Sequence, residues 1–335
     1  MVIMKTIKQI LLTIVVLLFS LTANAYDFEV DGIYYNIISA TDFTAGVCKV
    51  PYGSEDYTGD IVIPSTVNYD GSEYSVAMIA RSAFSGCTSL TSIEIPNSVT
   101  NIDERTFSGC TSLTSIEIPN SVTSIYSDAF SGCTSLKDLF IEDGYATLKL
   151  VNVFSNCPLE TIYLGRNLSF ANSENSEDLP FNNIKTLKTL TVGADVTEIL
   201  GNTFYDCSNL ESIYMKGVPP IIADDTFSNT SYYVTTLYVP EGTLAFYQTA
   251  NVWKNFWNIQ EYEPTTIEDV ETDEVNFSMT SNGISLSDSE SKPIAIYSIN
   301  GILVKKIDNY TGEEITLNKG VYIVSVGNKA MKIML

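Results

Sequence analysis

The side chains able to do chemistry in this chain are carboxylates and thiols, because none of its 335 residues is a histidine. That absence removes Ser-His-Asp and Cys-His nucleophiles, imidazole zinc sites and haem ligation by histidine. Carboxylate chemistry remains open, and Glu94 and Glu117 could form the acid and base pair of a glycosidase. A repeated sequence generates such pairs by default, so we predict no enzymatic activity, no catalytic residue, no metal and no cofactor.

An internal repeat with a step of 23 residues dominates the middle of the chain. The segment F-S-G-C-T-S-L-T-S-I-E-I-P-N-S-V-T begins at Phe84 and returns unchanged at Phe107, and its first seven letters return at Phe130. Each copy carries L-x-x-I-x-I, whose alternating apolar positions are typical of the strand of a leucine-rich repeat. Because one such unit cannot bury its own apolar face, the repeats must stack and share a core.

The repeat therefore predicts a mainly β solenoid of the leucine-rich-repeat type, with repeats of about 23 residues and little helix. Pro96 and Pro119 end the strand, since proline has no N–H for the next rung. The apolar pair Val99 and Ile102 recurs in later copies and predicts a short second strand. Phe107 and its equivalents are predicted to fill the turn of each rung. One longer step of 28 residues contains the polar run Ser173 to Asp178 and indicates an inserted loop.

The cysteines follow the repeat. An even number of cysteines in an exported chain favours disulfides, yet this chain has no C-x-x-C pair, and residues stacked on neighbouring rungs point the same way. We therefore predict a ladder of buried free thiols and keep disulfide pairing as the alternative. The five cysteines in the repeat are Cys87, Cys110, Cys133, Cys157 and Cys207, and Cys48 lies outside it.

The motif A-F-S-G-C-T-S-L-T-S-I-E-I-P-N-S-V-T resembles the BspA-like class of bacterial leucine-rich repeats. The segment Y-D-F-E-V-D-G-I-Y-Y-N-I-I, from Tyr26 to Ile38, is similar to the start of the mature chain in many of its members. The resemblance covers about Tyr26 to Glu263 and implies a secreted or surface-displayed protein. Several members are adhesins that bind host matrix proteins or other microbes. The resemblance brings with it neither catalytic residues nor the identity of a ligand.

Residues between the inward positions of each strand project outward, where a partner could bind. Equivalent residues of neighbouring rungs lie about 4.8 Å apart and form columns. One column is small and polar from Ser92 onward, and the other changes from acidic to aromatic. We predict that the second column binds a protein, because rigid aromatic side chains are frequent binding hot spots. Two alternatives stay open, namely a glycan-binding surface and a column that only reinforces the sheet. The predicted partner-binding residues are Glu94, Glu117, Phe140, Tyr163, Tyr214 and Tyr238.

The first 25 residues have the order of a secretory signal, with Lys5 and Lys8, an apolar run from Ile10 to Leu21, and the small-x-small site Ala23-Asn24-Ala25. A membrane anchor is the alternative, but it needs about 20 apolar residues and this run is shorter. The formal charge is −22, or −24 without the two lysines, and it repels phosphate backbones and anionic lipid. We therefore expect a secreted protein, displayed on the bacterial outer surface, with no nucleic-acid partner and no membrane span.

The ends of the solenoid need caps. Near the C-terminal end, Trp253 and Trp257 are predicted to pack over the last rung with a short helix, and not to form a sugar platform. Asn300-Gly301 between apolar runs indicates a β-hairpin in the last part of the chain. The predicted organisation is a signal peptide (1–25), an N-terminal cap and first rung (26–80), leucine-rich repeats (81–240), a C-terminal cap (241–262), an acidic linker (263–280) and a β-sandwich-like domain (281–335).

The last of these domains resembles the C-terminal sorting domain of substrates of the bacterial type IX secretion system. The resemblance rests on Ile296-Tyr297, on Asn300-Gly301, and on the run Lys319-Gly320-Val321-Tyr322-Ile323-Val324 with the basic and apolar tail after it. It implies that this domain directs the protein across the outer membrane, and it leaves open whether the domain is removed on arrival.

Overall fold

A computed structural model describes residues 26–170, 179–228, 231–262, 277–280, 283–286, 293–298, 303–307, 310–317, 321–326 and 329–334. Some features expected from the sequence lie outside the described residues. These are the signal peptide at 1–25, the polar run Ser173 to Asp178, the linker residues 263–276, the turn at Asn300-Gly301, and Lys319-Gly320.

The N-terminal cap consists of a three-stranded antiparallel meander and a separate antiparallel hairpin, joined by a parallel pair. The first three strands pair antiparallel in order, the last two form the separate hairpin, and the third strand runs parallel to the last. The strands are β1 (Phe28–Val30), β2 (Ile33–Ser39), β3 (Thr44–Val47), β5 (Thr66–Tyr69) and β6 (Ser72–Ile79).

Two of the hairpins in this cap turn on the same dipeptide, Asp-Gly. Asp31 and Gly32 have φ angles of 50° and 79°, and Asp70 and Gly71 have φ angles of 48° and 75°. A two-residue turn of type I′ needs positive φ at both positions, which aspartate tolerates and glycine adopts without strain. The dipeptide therefore sets the register of both hairpins, Val30 opposite Ile33 and Tyr69 opposite Ser72.

One wall of the solenoid is built from the L-x-x-I-x-I strands, paired parallel from rung to rung. The first two strands form a separate two-stranded sheet, and the others form one seven-stranded sheet. The strands are β4 (Gly59–Val62), β7 (Leu90–Glu94), β9 (Ser115–Ile118), β11 (Asp138–Ile141), β13 (Thr161–Leu164), β15 (Thr189–Val192), β17 (Ser212–Met215), β19 (Thr236–Pro240) and β20 (Asn258–Tyr262).

The second wall contains the short strands predicted from the second apolar pair of each repeat. Its first four strands continue the sheet of the N-terminal cap through β6, and the last two pair with each other. The strands are β8 (Asn101–Ile102), β10 (Ser124–Ile125), β12 (Leu148–Leu150), β14 (Leu168–Phe170), β16 (Glu198–Ile199) and β18 (Ile221–Ile222). The predicted β solenoid with little helix is confirmed.

A ladder of phenylalanine rings fills the turns between the two walls. Neighbouring ring centroids lie 5.0 to 5.8 Å apart, with interplanar angles of 23° or less. Phe181 belongs to this ladder between Phe154 and Phe204, although the sequence pattern did not identify it, because Ile184 stands where its repeat would carry a cysteine. The buried members of the ladder are Phe84, Phe107, Phe130, Phe154, Phe181, Phe204 and Phe227.

Residues with a positive φ angle flank most phenylalanines of the ladder, two positions before and two positions after the phenylalanine. Arg105 and Gly109 around Phe107 have φ angles of 56° and 75°, and Asn202 and Asp206 around Phe204 have 57° and 60°. These positions turn the chain sharply on both sides of the ring. Gly, Asn and Asp tolerate positive φ best, so the glycine, asparagine or aspartate that precedes the cysteine in different repeats forms the same turn.

The six cysteines are buried and unpaired, as predicted. Where the bond is resolved, the thiol donates to the carbonyl oxygen of the preceding ring of the ladder, as Cys110 does to Phe84 at 3.1 Å and Cys133 to Phe107 at 3.1 Å. Burial raises the pKa of the Cys87 and Cys207 thiols to about 11, so they stay protonated near neutral pH. Protonated, buried thiols are poor nucleophiles and act here as small core residues.

The two tryptophans of the C-terminal cap differ in burial. It contains helices α1 (Ser231–Val234) and α2 (Leu244–Thr249) and a 3-10 turn (Trp253–Asn255). Trp253 is fully buried against Phe227 at a centroid distance of 6.0 Å, and its indole N–H donates to the Pro220 carbonyl oxygen at 2.8 Å. Trp257 is 77% exposed, so the expectation that both rings pack over the last rung holds for Trp253 alone.

The described strands after residue 276 form two small antiparallel sheets with a core of their own. Ile294, Ile296 and Val324 are among its fully buried members. The first sheet contains β21 (Phe277–Met279), β22 (Gly283–Leu286) and β25 (Ile315–Thr316), and the second contains β23 (Ile294–Ser298), β24 (Leu303–Ile307), β26 (Val321–Val326) and β27 (Lys329–Met334).

Candidate functional site

The outward residues of the L-x-x-I-x-I strands form a surface that we call the strand face. Parallel pairing aligns the column predicted to bind a partner, with Glu117 beside Phe140 and Phe140 beside Tyr163. The column then passes through Thr191 to the two remaining tyrosines. The structure thus places five of the six predicted residues in one register column of one sheet, interrupted by Thr191, namely Glu117, Phe140, Tyr163, Tyr214 and Tyr238.

Glu94 lies on the preceding strand, in the separate two-stranded sheet, where it pairs with Val62. It nevertheless lines the same cavity of about 360 Å³ as Glu117 and Glu142. We call these three carboxylates the acidic patch. Ile333 of β27 lines this cavity as well. Glu142 is held by the backbone N–H of Asn120, which donates to its Oε2 at 2.8 Å.

Tyr163 differs from the expectation that the outward aromatics lie outside the core. Only 7% of it is exposed. Its ring stacks on Phe140 at a centroid distance of 4.4 Å, and its hydroxyl donates to the Asp143 carboxylate, with distances of 2.9 and 2.8 Å to Oδ1 and Oδ2. Thr191, next in the column, is 2% exposed. Outward orientation therefore does not guarantee accessibility at the middle of this face.

Phe140 is half-buried, and two further half-buried aromatics lie toward the C-terminal rungs. Tyr214 and Tyr238 are half-buried and stack at 4.6 Å with an interplanar angle of 8°. Tyr262, at the end of β20, meets both rings edge-on, at 5.6 Å from Tyr214 and 6.5 Å from Tyr238. Its hydroxyl donates to the Met215 carbonyl oxygen at 2.9 Å, which fixes the ring. We call Tyr214, Tyr238 and Tyr262 the aromatic patch.

Tyr262 was missed by sequence reasoning because it follows the last repeat and was counted with the C-terminal cap. The repeat register gives no signal for it, because β20 aligns Gln260, not Tyr262, with the aromatic column. Burial raises the pKa of Tyr262 to about 12, so this phenol stays neutral near physiological pH. Lys216 places its ammonium 5.9 Å from the centroid of the same ring, within the range of a cation–π contact.

Polar side chains fix the middle of the strand face. Asp138 accepts a hydrogen bond from the Thr161 hydroxyl at 2.5 Å, and burial raises the pKa of Asp138. Ser92 and Ser115 of the small polar column are 6% and 7% exposed. Because such hydroxyls are largely covered, this column contributes spacing and hydrogen bonds more than accessible contact area.

Arg166 is a buried residue that the repeat pattern did not reveal. Its guanidinium donates to the Asn120 carbonyl oxygen at 2.7 Å and to the Pro119 carbonyl oxygen at 2.8 Å, two rungs away. Burial lowers the pKa of Arg166, and the charge of Glu142 opposes that shift. Arg166 thus fastens the backbone just beyond the acidic patch, and no spacing in the sequence distinguishes it from a surface arginine.

The geometry of the strand face is suited to binding. The stacked rings of the aromatic patch present rigid apolar area, and Tyr214, whose pKa burial raises, presents a neutral hydroxyl. Within the described part of the chain, no group of three or more cysteine, aspartate or glutamate residues is placed to hold a metal ion. Among the same residues, no helix has the length and apolar character needed to cross a membrane.

Comparison with known proteins places the repeats in a family. Residues 61–177 and 171–255 match the BspA type leucine-rich repeat region in six copies, which spans more than half of the 335 residues. None of the curated proteins matches the chain.

Several solved structures are similar at low identity. A leucine-rich repeat protein from Bacteroides ovatus is 24% identical, with a TM-score of 0.43, over 70% of this chain and 67% of that chain. The T. pallidum leucine-rich repeat protein is 23% identical, with a TM-score of 0.44, over 68% of this chain and 92% of that chain. A leucine-rich cell surface protein from Faecalibacterium prausnitzii is 17% identical, with a TM-score of 0.29, over 71% of this chain and 95% of that chain.

Proposed function

Because the chain belongs to the BspA-type leucine-rich repeat family, we propose that it is a secreted or cell-surface binding protein whose strand face takes a protein partner, as an adhesin or receptor does. A solenoid offers an extended surface made of many equivalent positions, which suits recognition of large partners. The partner proposed is a protein on a host or microbial surface.

The aromatic patch is the observation that carries this proposal. Tyr214 and Tyr238 are half-buried, held by stacking and by the fixed ring of Tyr262. Rings that are already ordered lose little conformational entropy when a partner covers them, so they are efficient contact residues. The acidic patch at the other end of the face favours basic partners through charge complementarity.

A glycan-binding module is the second candidate, because the exposed edges of the aromatic patch and the nearby polar groups also suit a sugar. Competition distinguishes the two. A soluble polysaccharide is expected to compete with a glycan ligand, whereas a basic protein is expected to compete with a protein ligand at the acidic patch. The paired carboxylates Glu94 and Glu117 do not support a glycosidase, because equivalent pairs arise wherever two repeats are identical.

The proposed function is tested by the double variant Tyr214→Ser with Tyr238→Ser. The ligands are host matrix or bacterial surface proteins that the wild type binds. We expect the affinity of the double variant for them to be roughly tenfold lower or more, because truncating aromatic hot spots typically has this effect. Binding to immobilised proteins, followed by surface plasmon resonance, gives the two dissociation constants.

The matched control for this test replaces two exposed tyrosines away from the strand face, Tyr126 and Tyr205, which are 41% and 44% exposed. The control variant is expected to bind as the wild type does. Equal affinity of the wild type and the Tyr214 and Tyr238 double variant would reject the aromatic patch as the binding surface.

Surface display is proposed on the basis of the N-terminal signal sequence and the sorting-domain resemblance of residues 281–335. Deleting Ser281 to Leu335 is expected to leave a folded solenoid that accumulates in the periplasm, because the described C-terminal strands have a core separate from that of the solenoid. Antibody labelling of intact cells and fractionation measure the outcome. Normal surface labelling of the truncated protein contradicts the sorting role.

A further inference from the structure

The cavity of about 360 Å³ at the acidic patch is lined by two parts of the chain that are far apart in sequence. Most of its lining belongs to the strand face, but Ile333 belongs to β27, the last described strand. The cavity lies where this wall is divided, because β7 and β9 belong to different sheets. The strands after residue 276, which we call the C-terminal domain (residues 277–335), therefore reach the strand face at this division.

A second position of the C-terminal domain lies beside the same wall. Tyr322 of β26 pairs across the sheet with Ile333. Burial, and after it the negative charge of Asp138, raise the pKa of Tyr322. Asp138 lies on β11, which pairs with β9. Two paired residues of the C-terminal domain thus approach adjacent strands of the strand face.

The burial of the strand face agrees with this placement. Ser115 and Ser212 occupy equivalent places in the small polar column, yet Ser115 is 7% exposed and Ser212 is half-buried. Ser115 lines the cavity together with Ile333, and Ser212 does not. Because the two residues have the same side chain and the same position in the repeat, the difference agrees with a cover over Ser115 that Ser212 lacks.

Charge also favours this contact. Residues 26–276 contain 10 basic and 35 acidic side chains, whereas residues 277–335 contain six lysines and five carboxylates. A domain without net negative charge is repelled less by the acidic patch than a second solenoid would be. Attachment in one chain holds the domain at a high effective concentration, so even a weak contact is populated.

We infer that the C-terminal domain docks on the acidic patch and masks it in the full chain, so that a basic partner reaches these carboxylates only when the domain is displaced. The consequence for binding rests on the proposed function, in which the strand face takes a partner. The contact itself is measured without any partner.

Thiol accessibility tests the contact in the full chain. Glu117→Cys adds a thiol to the acidic patch, whereas the six native cysteines are buried. A protease recognition sequence inserted in the acidic linker allows the C-terminal domain to be released and separated by gel filtration. If the domain covers the patch about nine-tenths of the time, the rate of maleimide labelling at position 117 is expected to rise roughly tenfold on release.

Glu198→Cys is the matched control, because Glu198 is exposed on β16 of the second wall. Its labelling rate is expected to be the same before and after release, and the native thiols are expected to stay unlabelled throughout. Equal labelling rates of Glu117→Cys before and after release would overturn the inference. Labelling of the native thiols after release would overturn it too, because the domain would then be part of the fold of the solenoid and not a cover on it.

A decalysine peptide tests whether the cover affects binding. Releasing a domain with six basic and five acidic side chains changes the net charge by one unit, so the general attraction for the peptide is nearly unchanged. We expect the affinity to rise roughly tenfold on release. The double variant Glu94→Gln with Glu117→Gln is expected to lose this gain.

The two measurements separate the contact from the proposed function. Faster labelling of Glu117→Cys without tighter binding of decalysine supports the contact and contradicts the role of the acidic patch in binding. A gain in affinity that persists in the Gln double variant overturns the masking of these carboxylates, because other residues would then bind the peptide.

Discussion

Replacing Phe107 with alanine is expected to lower the free energy of unfolding by about 3 to 5 kcal/mol, the usual cost of removing a large buried ring. Phe107 is fully buried and stacks on Phe84 at 5.2 Å and on Phe130 at 5.0 Å, so its loss leaves a cavity and removes ring contacts on both sides. Denaturant unfolding followed by circular dichroism measures the change.

Phe246→Ala is the control for this experiment, because the same change of side chain occurs at a residue that is 58% exposed. We expect a change of about 0.5 kcal/mol there. A loss below about 1 kcal/mol in Phe107→Ala would show that the ladder does not carry the stability assigned to it. Since rungs contact mainly their neighbours, the damage is expected to spread along the solenoid and to spare the separate C-terminal core.

Replacing Tyr163 with serine is expected to destabilise the protein by about 2 to 4 kcal/mol, although its side chain projects from the outer side of the sheet. The ring is 7% exposed and stacks on Phe140, and its hydroxyl is bonded to Asp143. Serine removes the ring and leaves the carboxylate without its donor. Denaturant unfolding of the single variant gives the change.

Tyr163→Phe separates the two contributions. It keeps the stacked ring and removes the bond to Asp143, so we expect a loss of about 1 kcal/mol. Tyr126→Ser, at a residue 41% exposed, is the control and is expected to change stability by about 0.5 kcal/mol. If the Tyr163→Ser variant were as stable as this control, Tyr163 would be accessible and would again be a candidate for the binding surface.

These two experiments probe the core of the solenoid and the outer side of one of its walls. Inward side chains stabilise the solenoid through the phenylalanine ladder and the apolar strand positions. On the outward side, we expect a partner to contact the acidic patch, beside Ile333 of β27, and the aromatic patch toward the C-terminal rungs. The middle, around Tyr163 and Thr191, is already packed and acts as a rigid spacer between the two patches.

The repeat, the two strands of each rung, the free thiols and all ladder phenylalanines except Phe181 were predictable from the amino-acid sequence. They were predictable because most rungs repeat the same local pattern, with Phe107, Cys110 and Ile116 and their equivalents at a step of about 23 residues. Parallel stacking then turns equal sequence positions into neighbours in space. For the same reason the column from Glu117 to Tyr238 was predictable in its order.

Which of these outward residues are accessible depends on contacts that form in the folded protein. Burial of Tyr163 depends on Asp143, 20 residues earlier, and Arg166 reaches carbonyl oxygens 46 and 47 residues away. Trp253 and Trp257 differ in the same way, since one meets Phe227 and the other faces solvent. Periodicity specifies the side of the sheet to which a residue points, whereas accessibility depends on contacts between side chains that the repeat does not share. The physical reason is that such contacts join non-equivalent positions of different rungs, and no regular spacing in the sequence encodes them.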